Sequence, residues 1–69
     1  MKGFQARVVV ERKELNEKIV KLNSFLFSEG FTSVDWNTRE LLLEQLFLMM
    51  DYSKTLSKRI YNFIQQGDG

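Results

Sequence analysis

The chain contains no cysteine, no histidine and no proline among its 69 residues. Without cysteine no disulfide can staple so short a fold. Without cysteine or histidine the usual zinc sites are excluded, because thiolate and imidazole supply nearly all their ligands. The same absences remove a cysteine nucleophile and the histidine general base. No Gly-rich phosphate loop is present, and the carboxylates alternate with basic residues along exposed faces. No catalysis and no cofactor are expected.

Charge of one sign is also lacking. The formal net charge is +1, whereas a protein living on DNA or RNA phosphates carries a strongly basic surface. No apolar run approaches the ~20 residues that span a bilayer. The opening MKGFQARVVVERKEL places charges where a signal peptide needs an apolar core. The chain is expected to be cytosolic and soluble, with neither a membrane nor a nucleic-acid polymer as partner.

What is present is helical periodicity. Phe4, Val8, Leu15, Ile19, Leu22 and Leu26 recur at helical spacing, as do Leu42, Leu46, Met49, Leu56, Ile60 and Phe63. Gly30, following the first run, is read as a left-handed terminator. The expected architecture is all-α: one antiparallel helical hairpin over residues 1–69, with helix 1 at about 4–29, a turn at 30–35 and helix 2 at about 36–65. Asp35 is a natural N-cap, with Ser33 as the alternative. Phe31 and Val34 are expected to plug the turn end, Trp36 to pack there, and the tail QQGDG to fray.

A chain this small buries only about 60% of its unfolded surface, so association is the remaining route to stability. Leu43, Phe47, Met50, Tyr61 and Ile64 form a second apolar stripe on helix 2, with Val9, Val20 and Phe27 as a lesser counterpart on helix 1. A lone hairpin would leave these in water. They predict a homo-oligomeric bundle, a dimer or tetramer, with Gln45, Phe47, Met50, Tyr61 and Ile64 at the interface. A membrane-surface role is opposed by Glu40, Glu44 and Asp51 on the polar face.

Antiparallel pairing is expected to bring Arg7 near Lys58 and Arg59, and Glu11 near Lys54. Lys2, Arg12, Lys13 and Asp68 join them at the open end, with Tyr52, Tyr61 and Phe4. Cations beside aromatic faces suit a ligand that is both anionic and ring-bearing. Plainer readings exist for each residue. Arg7, Glu11, Glu14 and Lys18 have the spacing of a surface ion-pair ladder. Tyr52 suits a core edge, and Gln45 either a register-fixing contact or a ligand contact.

The segments RVVVERKELNEKIVKLNSFL, RELLLEQL and MDYSKTLSKRI together resemble a family of very small helical proteins of tailed and crAss-like bacteriophages. Glu14, Leu15, Lys18, Gln45, Tyr52 and Arg59 are the more specific positions. That family is similar to phage anti-CBASS sponge proteins. The resemblance implies a non-enzymatic immune-evasion protein in the host cell cytoplasm that sequesters cyclic dinucleotide signals such as cGAMP. Its expected ligand-binding residues are Arg7, Lys18, Tyr52 and Arg59, with Tyr61 as a second stacking ring. The competing expectation is an adaptor whose second apolar stripe docks a helix of a host or phage protein.

Overall fold

A computed structural model describes residues 3–66; Lys2, Asp68 and the last three residues of the tail lie outside them. Helix α1 spans Gly3–Leu26 and helix α2 spans Trp36–Gln65, joined through a short 3-10 segment, Glu29–Ser33. No strand occurs among the described residues.

Helix α1 ends at Leu26, three residues before the expected Glu29, and the cause is local hydrogen bonding. The amides of Phe27 and Ser28 donate to the carbonyls of Ser24 and Phe25 at 3.2 and 3.0 Å, closures that tighten the last turn. Hydroxyls then take over. Ser28 Oγ donates to the Phe25 carbonyl (2.6 Å), Thr32 Oγ1 to that of Glu29 (2.7 Å) and Ser33 Oγ to that of Gly30 (2.8 Å). Such bonds offer the backbone an alternative to the helix ladder. Gly30 does not act as the expected left-handed terminator. Its smallness matters instead, because a Cβ there would lie 3.3 Å from Phe25 Cε1.

Asp35 caps α2, accepting from the Thr38 amide at 3.1 Å and from the Thr38 hydroxyl at 2.6 Å. Arg39 latches the turn. Its Nε donates to the Val34 carbonyl (2.8 Å) and an NH2 group to that of Thr32 (2.6 Å). Its guanidinium carbon lies 5.3 Å from the Phe31 ring centre and 5.9 Å from that of Trp36, within cation–π range. Phe31 meets Phe25 edge-on at 6.1 Å, and Phe31 and Val34 are half-buried at the closed end. Trp36 is not packed into the turn as expected: it is 71% exposed and offers only a face to Arg39.

The core joins the start of α1 to the end of α2, so the helices run antiparallel. Val8, Leu15, Leu56 and Phe63 form its buried cluster, with Ile19, Met49 and Ile60 packed against it. Leu56 is fully buried, and truncating such a side chain typically costs ~2–5 kcal/mol. Phe4, expected in this stripe, is 58% exposed, while Gln5 beside it is only 3% exposed. Gln5 shares the inward face with Val8 and Leu15, and Phe4 is turned about 100° from it. The buried amide is not left without an interaction partner, as burial of a polar group requires.

Ser53 Oγ donates to Asn16 Oδ1 across the helix interface at 2.6 Å. This contact sets Arg7 level with Asn62 and Glu11 with Lys58, one helical turn from the expected pairing. The resulting body measures 51 × 15 × 15 Å.

Candidate functional site

A groove of 530 Å³ runs along one flank of α1 and is closed on one side by α2. Helix α1 contributes Arg7, Glu11, Glu14 and Lys18 together with Val10 and the buried Leu15, and α2 contributes Tyr52. The i, i+3, i+4 spacing that suggested an ion-pair ladder also aims these four charged side chains into one groove. Tyr52, 45% exposed, keeps part of its ring free.

Three of the four expected ligand residues, Arg7, Lys18 and Tyr52, therefore line one groove. Arg59 follows Tyr52 by two turns on the same flank of α2, but it is not among the lining residues. Glu11 and Glu14 put two carboxylates in the same space.

A second groove, of 430 Å³, continues past Tyr52 along α2 and is walled by Leu41, Leu48 and Met49, with Glu44 and Gln45. Tyr52 belongs to both grooves and so stands at their junction. Gln45, expected to make either a register-fixing contact or a ligand contact, lines this second groove. It is exposed, and its Nε2 donates to Met49 Sδ at 3.8 Å within α2. It does not share a flank with Phe47: two residues along a helix rotate the direction by roughly 200°. The exposed Leu41, Val10 and Leu48 beside Tyr52 were not anticipated. The signal was available as Leu41, Gln45, Leu48 and Tyr52 at helical spacing, but the longer stripe at Leu43 and Phe47 masked it.

That other stripe is exposed throughout: Leu43, Phe47, Met50, Tyr61 and Ile64 all face solvent, as do Val9, Val20 and Phe27. A third depression, lined by Arg12, Lys13, Asn16 and Lys21 with Val9 and Val20, is more cationic. All its walls come from α1, so it is space between side chains of one helix and not a seam.

Among the described residues no cluster of three or more carboxylates is placed to hold a metal ion, and no helix is long and apolar enough to cross a membrane. These features define a class: a small all-helical protein with open grooves along its flanks. The chain belongs to the Sequestin family, whose profile matches residues 2–62. It is 43% identical over 63 residues to the "uncharacterized 7.5 kDa protein in denB-rIIB intergenic region" of Enterobacteria phage T4, covering 91% of this chain and 98% of that protein. No solved structure matches it. It is a small phage protein of the sequestin type.

Proposed function

We propose that this protein binds a cyclic dinucleotide signal of host CBASS defence, such as cGAMP, and holds it without cleaving it. The cytoplasm of the infected cell, where such a signal would be met, is its place of action. One observation carries the reading: Arg7, Lys18 and Tyr52 converge on a single groove of 530 Å³, within the range that small ligands occupy. Arg7 and Lys18 meet the phosphates through charge-assisted hydrogen bonds. A base stacks on Tyr52, an interaction worth ~1–3 kcal/mol. Glu11 and Glu14 accept hydrogen bonds from base N–H groups, which distinguishes a nucleotide from a bare polyanion. Arg59, outside the groove's lining, is proposed to meet a phosphate from two turns beyond Tyr52. The family's name, that of a sequestering protein, supports the same direction.

The sponge is proposed to be a homo-oligomer held by Phe47, Met50, Tyr61 and Ile64. Phe47 alone is 62% exposed in the isolated chain, and although Lys54 and Ser57 interrupt the stripe, monomers seldom leave so many large apolar side chains on one flank in water. The same stripe supports the second reading, an adaptor that docks a partner helix.

Thermal shift with a panel of cyclic dinucleotides tests the ligand reading, since a ligand that binds only the folded state raises Tm by mass action. The native chain is expected to shift, and Arg7→Ala and Tyr52→Ala to lose most of that shift. If both variants respond like the native chain, the groove is the wrong site.

A further inference from the structure

The groove past Tyr52 differs in chemistry from the one it adjoins. Its apolar walls are Leu41, Leu48 and Met49, its polar members are Glu44 and Gln45, and no cation lines it. The first groove holds Arg7 and Lys18. Phosphates therefore belong in the first groove, whereas the second suits an uncharged flat ring with a hydrogen-bonding edge. We propose that the second groove is a subsite for the other base of the cyclic dinucleotide, and that Gln45 selects adenine there. The subsite rests on the ligand reading above, which by itself assigns neither this residue nor this base.

Tyr52 makes the two grooves parts of one site. It lines both, and a cyclic dinucleotide carries two bases on one ring of sugars and phosphates. With the phosphates and one base in the first groove, the second base passes Tyr52 and lies on Leu48 and Met49. The exposed Leu48 and the polarizable thioether of Met49 give that ring an apolar bed. Gln45 stands seven residues before Tyr52, roughly 10 Å along the axis, so it meets the far edge of the base and not its face.

The amide is ready to change partner. Gln45 is exposed, and its Nε2 donates to Met49 Sδ at 3.8 Å. A thioether is a weak acceptor, so a base nitrogen replaces it at little cost. A glutamine amide sets one donor beside one acceptor, which match N7 and the N6 amino group of adenine. The same edge of guanine presents two acceptors, N7 and O6, and sets O6 against the amide oxygen. Glu44, an acceptor next to Gln45, adds a second partner for the amino group and repels that guanine edge. In the first groove Glu11 and Glu14 only accept, which suits the N1–H and N2–H donors of guanine. The two grooves thus sort the bases, guanine beside α1 and adenine on α2.

The test compares cGAMP with cyclic di-GMP, which differ at one base and both offer a guanine to the first groove. In calorimetric titration the native chain is expected to bind cGAMP about 10-fold more tightly. Gln45→Leu keeps an apolar bed and removes the reading group. It is expected to bring the two affinities within about 2-fold of each other, through loss of cGAMP affinity alone. Gln45→Glu, which only accepts, is expected to reverse the preference toward cyclic di-GMP. Because the readout is a ratio, a change in folding or assembly moves both affinities together and leaves it unchanged. Equal binding of both ligands by the native chain, or equal weakening of both by Gln45→Leu, overturns the proposal and leaves the first groove's ligand site standing. Binding of neither ligand removes that site, and the subsite with it.

Discussion

Ser53 donates its hydroxyl to the side-chain oxygen of Asn16 at 2.6 Å, joining residues 37 apart in sequence. Apolar contacts between two helices permit sliding by a turn at modest cost, because a leucine meets another leucine one turn away. A directional bond between two half-buried polar groups does not. The pair fixes the register that puts Tyr52 opposite Leu15 and Lys18, and so determines which cations share a groove with the ring.

Asn16→Ala is therefore expected to destabilise the fold by about 1 kcal/mol, the usual net worth of such a bond. The effect is read from urea unfolding at fixed protein concentration, since association would shift the midpoint. Ser53→Ala on the Asn16→Ala background should add little. Additive losses from the two substitutions would mean that the side chains act separately.

The cap of α2 gives a pH dependence. Hydrogen bonds from the Thr38 hydroxyl, first, and from the Thr38 amide hold the Asp35 carboxyl below its ordinary value of 3.8. A depressed carboxyl stabilises the fold above its unfolded pKa, and that contribution is lost as pH falls through the folded one. Stability is expected to decline below about pH 4. Asp35→Asn, which caps well but does not titrate, should flatten that part of the decline. Identical acid profiles for the two chains would show that the carboxylate contributes nothing.

Phe47→Glu combined with Met50→Glu tests the other flank. Both side chains are exposed in the isolated chain, so a monomer would accept the change with little loss of helix. An assembly would not, because four carboxylates would be buried for each pair of copies. The expected result is a smaller species in sedimentation equilibrium, or an unfolded one. A variant with native mass would assign this stripe to another partner.

The parts of the fold legible in the sequence are those governed by period. Val8, Leu15, Leu46, Leu56 and Phe63 fall where helical spacing put them, and all are buried. What escaped had two causes: a stripe drawn from apolar residues alone passes over a polar one on the inward period, and local hydrogen bonds follow no period. Gln5 occupies an inward position because rotation, not polarity, selects it, and Phe4 is turned outward as a result. The end of α1 is set by the hydroxyls of Ser28, Thr32 and Ser33 competing for carbonyls. At the site, like spacing grouped Arg7 with Lys18, and the structure brings Tyr52 to them. Arg59 was expected there from the open-end pairing with Arg7 and from the resemblance, and neither determines depth along a groove.

The central claim is that the groove holds a cyclic dinucleotide and returns it unchanged. The most direct measurement is a calorimetric titration of the native chain with cGAMP and related cyclic dinucleotides, followed by denaturation and chromatography of the released ligand. The account predicts saturable binding and release of the ligand intact. It also predicts that Arg7→Ala weakens binding by ~30-fold, about 2 kcal/mol, as loss of a charged partner commonly does. No binding to any cyclic dinucleotide, or recovery of a linearised product, would contradict it.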